Sequence, residues 1–156
     1  MIVCSYPTPW GDVTLESDHD WIVHVYLPGR KIPSDKIWQE DALLHRAGSQ
    51  LAEYLAGERT SFDLPILLDG TPFMKSVWQV LLQIPYGETV TYREIARRLE
   101  KPRAYRAVGM ANGRNPAGIF VPCHRVVGSD GSLTGFGGGL EMKKGLLTLE
   151  REGANQ

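Results

Sequence analysis

The chain has 156 residues, 42% hydrophobic and 22% charged, which describes one globular domain, or one with a small appendage, and excludes a disordered chain. No run approaches the roughly 18 apolar residues of a membrane span, and two cysteines, Cys4 and Cys123, are too few for a disulfide framework or a cysteine-rich zinc site. The net charge of −1 hides an asymmetry: residues 1–70 hold five Lys/Arg against eleven Asp/Glu, and residues 71–156 hold twelve against seven. No basic segment followed by a long apolar one opens the chain, so a cytoplasmic location is expected.

Three short alternating runs come first, Ile2–Tyr6, Asp12–Ser17 and Trp21–Leu27, separated by turn residues, and they predict a small antiparallel meander. Ser34 is the expected N-cap of a helix over about 35–56, whose apolar set Ile37, Leu44, Ala47, Leu51, Tyr54 and Leu55 follows helical spacing and which Gly57 ends. Residues 58–70 read as a linker with one apolar piece broken by Pro65, which places a boundary between an N-terminal part, 1–70, and a C-terminal part, 71–156. Thr71-Pro72 opens a helix to about Gln83. Thr91 with Glu94 fits a capping box for a short helix ending near Leu99. A second short helix, about 103–112, follows Lys101-Pro102, and the pair suggests helix-turn-helix geometry. A last helix is expected over about 140–150.

Residues 92–125 hold eight basic side chains, Arg93, Arg97, Arg98, Lys101, Arg103, Arg106, Arg114 and Arg125, opposed only by Glu94 and Glu100. Such a segment is either a phosphate-binding face or a solvated helix surface laced with ion pairs. The run Arg106-Ala107-Val108-Gly109-Met110-Ala111 is small around one arginine. Small residues suit backbone approach to a minor groove, with the arginine as a wedge. They also suit close packing against another helix, the reading that these residues alone favour.

The chemistry concentrates at Pro122-Cys123-His124-Arg125. A free thiol is only a few per cent thiolate at neutral pH, so a nucleophilic cysteine needs a base or a positive field. His124 and Arg125 could supply these, and Glu150 could orient the imidazole as the third member of the set. The alternative is a buried, inert cysteine. Cys4, in an apolar strand without a local partner, reads as structural. The glycines at 135 and 137–139 match neither a Walker nor a dinucleotide-binding loop.

Taken together, Arg106-Ala107-Val108-Gly109, Asn115-Pro116, Ile119, Val121-Pro122-Cys123-His124-Arg125-Val126-Val127, Gly135 and Lys143-x-x-Leu146-Leu147-x-x-Glu150 resemble the O6-alkylguanine-DNA alkyltransferases. The resemblance covers residues 71–150 closely and residues 1–70 loosely, chiefly through Thr8-Pro9-x-Gly11. It implies an α/β (α+β) protein with a ribonuclease-H-like N-terminal subdomain and a winged-helix-like C-terminal subdomain bearing a helix-turn-helix. It implies DNA repair by direct, single-turnover transfer of an alkyl group from O6-alkylguanine, and from O4-alkylthymine, in double-stranded DNA to the protein's own cysteine. No cofactor and no metal are expected, and the protein is expected to act as a monomer.

Carried over by position, the resemblance makes Cys123 the alkyl acceptor. His124 deprotonates it through a water, Glu150 holds His124, and Asn115 braces the turn. Tyr92 donates a proton to guanine N3, and Arg106 fills the space of the flipped nucleotide. Ala107, Gly109, Arg103, Arg114 and Arg125 meet DNA, while Val126, Val127, Phe136 and Gly137 line the base pocket. Phe136-Gly137 departs from the family's usual Tyr-Ser or Tyr-Ala, which keeps the aromatic face and removes a hydroxyl. Three other readings compete: a lesion-flagging DNA-binding relative, which would lack the acceptor cysteine; a cysteine hydrolase with turnover and no DNA affinity; and a winged-helix regulator for which Cys123 is dispensable.

Overall fold

The opening alternations fold as an antiparallel meander of β1 (Ile2–Thr8), β2 (Gly11–Ser17) and β3 (Ile22–Tyr26) in a computed structural model that describes residues 1–155. Gly11 takes φ +118° at the tip of the first hairpin, a backbone that a side chain would strain. Val13 and Leu15 of β2 are buried. A two-residue strand, β4 (Ile37–Trp38), pairs parallel to β1 and completes the order β3-β2-β1-β4.

The helix expected from Ser34 begins later, as α1 (Ala42–Leu55). Asp41 caps it, its Oδ1 accepting from Leu44 N at 2.7 Å, while Oδ2 accepts from Ser17 Oγ at 3.0 Å. Two uses fix Asp41 at the junction of sheet and helix, and residues 37–38 are drawn into β-pairing instead. The expected linker is also fastened down: Ile22 N donates to Pro65 O at 2.8 Å and Leu67 N to Ile22 O at 2.9 Å, so this segment lies along β3.

Thr71 caps α2 (Pro72–Leu81), accepting from Met74 N at 3.2 Å. After β5 (Val90–Thr91), Thr91 accepts from Glu94 N at 3.1 Å and starts α3 (Tyr92–Arg98). Only half of the capping box forms, because the Glu94 carboxylate turns to Arg97 and Arg98, at 2.6 and 3.1 Å. Next comes α4 (Tyr105–Gly113), packed on α2 and α3, with Trp78 Nε1 donating to Ala111 O at 2.9 Å. A 3-10 turn, Cys123–Arg125, leads into β6 (Val126–Val127), which pairs parallel to β5. The chain closes with α5 (Leu140–Ala154), four residues longer than its expected end. Leu15, Leu51 and Tyr54 share one apolar core with Val77, Ile84 and Leu146, so the two halves of the sequence are joined by a continuous interior.

Candidate active site

Cys123 opens the 3-10 turn, and the segment before it is braced by side chains. Asn115 Oδ1 accepts from Ala117 N at 3.0 Å, and its Nδ2 donates to Val121 O at 2.9 Å. Between these braces Ile119 holds φ +76° while buried, a conformation β-branched residues adopt only when their surroundings enforce it. Asn112 Nδ2 donates to Cys123 O at 3.4 Å. The thiol is buried. Burial pushes its pKa up, against the Asn115 side chain and the nearby Lys143 charge, which pull it down. A thiol held in its neutral form needs a base before it can attack.

A candidate for that base is one residue away. His124 is fully buried, and its Nε2 lies 2.7 Å from Glu150 Oε2. A carboxylate partner places the ring proton on Nε2. Among the described residues Nδ1 has no partner, which leaves a basic lone pair. Burial lowers the His124 pKa and outweighs the opposing pull of Glu150, so the imidazole rests neutral.

Glu150 is a hub. Its Oε1 accepts from Arg125 Nε at 2.7 Å and Gly87 N at 3.4 Å. Its Oε2 accepts from His124, from Arg125 Nη2 at 3.0 Å and from Tyr54 Oη at 2.5 Å. Burial alone would raise its pKa, but the bonds from His124, Arg125 and Tyr54 hold the carboxyl down at about 2. Arg125 is therefore not a DNA-facing side chain, contrary to expectation. Its guanidinium is turned inward onto Glu150, and its Nη1 donates to Ile84 O at 2.6 Å.

Beside Cys123 lies a cavity of about 530 Å³. Leu27 and Arg30 supply one wall, and Asn112, Asn115, Phe136 and Gly137 the others. The Phe136 ring stands edge-on to His124 with centroids 6.5 Å apart, and Arg30 Nε donates to Gly137 O at 3.3 Å. Val126 and Val127, expected among the lining residues, do not line this cavity. They are buried in β6, and Val126 acts through its carbonyl, which accepts from Lys143 Nζ at 2.7 Å. Lys143 also donates to Thr134 O at 3.2 Å, and Thr134 Oγ1 is hydrogen-bonded to Tyr92 Oη. This chain of contacts ties the loop before α5 to the start of α3.

The outer face of α4 distinguishes the two readings of its small residues. Arg106, Ala107 and Met110 are exposed, and a Cβ built on Gly109 would meet only the Tyr92 ring, at 3.7 Å. No neighbouring helix requires a glycine there. The buried side, Val108 and Ala111, does the packing. On fold grounds alone Gly109→Ala should stabilise the protein by about 0.5–1 kcal/mol, as in any helix interior. If this face meets a duplex closely, the same change should weaken binding to DNA. Melting curves and a duplex titration of the variant check both signs.

Of the eight basic residues in 92–125, Arg97 and Arg98 are engaged by Glu94, and Arg125 is internal. Arg93 stacks on Tyr105 at 4.2 Å. Arg103, Arg106 and Arg114 are exposed, with no acidic partner among the described residues. Sequence reasoning missed three residues here. Tyr54 was read only as part of the apolar face of α1. Asn112 carried no signal beyond its nearness to Asn115, and Lys143 none beyond its place in the motif. Cys4 is half-buried in β1, away from this cluster.

Residues 72–152 match the family model described as 6-O-methylguanine DNA methyltransferase, DNA binding domain. A methylated-DNA–protein-cysteine methyltransferase of Methanosarcina barkeri is 51% identical over 148 residues, covering 92% of both chains. The crystal structure of Mycobacterium tuberculosis OGT in complex with DNA superposes with a TM-score of 0.92 at 41% identity, covering 98% of this chain and 94% of that one. The O6-methylguanine-DNA methyltransferase of Pyrococcus kodakaraensis superposes at 0.69 with 27% identity, covering 96% and 99%.

Proposed function

The chain belongs to the 6-O-methylguanine DNA methyltransferase family, and on that premise we propose that it repairs O6-alkylguanine in double-stranded DNA by moving the alkyl group irreversibly onto Cys123. The observation that carries this reading is the buried Cys123–His124–Glu150 set, opening on a cavity beside a helix whose outer face is small and basic. O4-alkylthymine presents the same exocyclic O-alkyl group and is proposed as a second substrate.

The alkyl carbon lies within a stacked base pair, so the nucleotide must leave the helix to reach a buried thiol. Arg106, exposed on α4, takes the vacated space, with Ala107 and Gly109 allowing the backbone close to the groove and Arg103 and Arg114 meeting phosphates. The thiol proton passes to His124 Nδ1 through a water, and the imidazolium formed is held by Glu150. Sulfur then attacks the alkyl carbon, the C–O6 bond breaks, and its electron pair goes to the guanine. Tyr92 supplies a proton at N3, which neutralises the leaving base. The product thioether has no leaving route, so each molecule acts once, without a cofactor.

The helices α3 and α4 are read as the helix-turn-helix of a winged-helix-like part, 71–156, and residues 1–70 as the ribonuclease-H-like part. We place the protein in the cytoplasm as a monomer. Incubation with a duplex containing O6-methylguanine should add one methyl mass per molecule, on the Cys123 peptide. Continuous turnover with no mass gain would overturn the reading in favour of a hydrolase. Arg103→Ala and Arg114→Ala should each weaken duplex binding similarly across sequences and reduce the salt slope by about one. Titrations at several salt concentrations measure it.

A further inference from the structure

We propose that Tyr54 is a positioning residue for alkyl transfer: its hydroxyl, carried on α1 from the N-terminal part, holds Glu150 Oε2 and limits how strongly that oxygen draws on His124. The proposal rests on the reading of Cys123 as acceptor and His124 as its base.

Tyr54 is fully buried, and Phe would fill its space. A buried hydroxyl is costly unless it is bonded, so its presence calls for a partner. That partner is Glu150 Oε2 at 2.5 Å, 96 positions away in sequence. The ring is fixed by Phe62, with centroids 5.2 Å apart, and edge-on by Tyr86 at 6.4 Å. Arg125 already fixes the plane of the carboxylate by gripping both oxygens, at 2.7 and 3.0 Å. Tyr54 adds something different, because it donates only to the oxygen that serves His124.

The charged and titratable groups around His124 are Glu150 and Lys143 from α5, and Arg125 and Cys123 from its own turn. Of these, Glu150 alone favours the imidazolium, and burial, Arg125 and Lys143 oppose it. A further donor on Oε2, beside Arg125 Nη2, draws on the same negative charge and makes the carboxylate a weaker partner for a protonated ring. Tyr54 thus helps keep His124 neutral, with Nδ1 ready to take the thiol proton. Loss of the hydroxyl makes His124 more basic, so the base is occupied by a proton at a higher pH.

The test is the pH dependence of single-turnover reaction with free O6-benzylguanine, which requires no base flipping. Tyr54→Phe should move the acid limb of the profile up by roughly half to one pH unit. Site-specific 3-fluorotyrosine at position 54, a more acidic donor of nearly the same size, should move the limb down. Phe62→Leu loosens the ring but leaves the hydroxyl, so it should lower the melting temperature and leave the limb in place. An acid limb unmoved in both Tyr54 variants, with the parent protein benzylated normally, would overturn the role of Tyr54. A parent protein that gains no benzyl group on Cys123 would instead overturn the transfer reading beneath it.

Discussion

Cys123→Ser should reduce alkyl transfer below detection while duplex binding stays close to that of the parent, and Cys4→Ser should transfer normally. The turn at 123 is held from outside the side chain, by Asn115 on Val121 O and Ala117 N and by Asn112 on Cys123 O. Replacing sulfur by oxygen leaves those bonds intact and adds no volume. What changes is the nucleophile: a hydroxyl is far harder to deprotonate than a thiol, and a neutral imidazole cannot make up the difference for displacement at an alkyl carbon. The exposed arginines proposed to meet DNA, Arg103, Arg106 and Arg114, lie on α4 and its flanks and do not depend on the sulfur. Intact-mass analysis reads the first effect and a duplex titration the second. A dead Cys4→Ser variant would reverse the assignment.

The parts of this site written in local pattern were legible beforehand, and the parts built by distant contacts were not. Thr71-Pro72 and Thr91 cap their helices as the sequence predicts, because capping needs only a side-chain oxygen at the right offset from a free N–H. Ser34 has the same chemistry but loses to Asp41, since residues 37–38 gain a strand partner in β1 that no local pattern announces. Arg125 sits in a basic segment and by composition belongs on the surface. It goes inside because Glu150, 25 residues later, is buried and needs a cation. Tyr54 obeys the helical spacing of α1 and packs as expected, yet its hydroxyl partner belongs to the last helix. Val126 and Val127 read as pocket residues from the motif, but their side chains are buried in the interior and do not line the cavity. In each miss a distant partner, on which the local signal was silent, decided the outcome.

Glu150→Ala should be the most destabilising single change in this site. Glu150 is fully buried and accepts from His124, Arg125, Tyr54 and Gly87 N. Its removal leaves the Arg125 guanidinium unpaired in the interior, and breaking a buried pair in this way costs about 3–5 kcal/mol. A domain holds roughly 5–15 kcal/mol in all. At about 2–4 °C per kcal/mol for this size, melting should fall by roughly 6–20 °C. The acid limit of stability gives an independent measure. The Glu150 carboxyl lies at about 2 in the folded protein against 4.5 ordinarily. Unfolding therefore takes up a proton as pH falls below 4.5, and the contribution is complete above that pH and lost progressively down to about 2. A gap of that size corresponds to about 3 kcal/mol, in line with the mutational figure. His124, kept neutral by burial, adds an earlier loss of the same sign that begins as pH falls through 6.5, where the unfolded chain protonates first. Glu150→Gln keeps the volume but has no charge to titrate. Its stability should be lower at neutral pH and flat between pH 4.5 and 2 with respect to this group, while the loss beginning near 6.5 persists. Urea unfolding of parent and variant across pH 2–7 separates the two steps, and a Gln variant retaining the parent's lower acid step would show that Glu150 is not the group responsible.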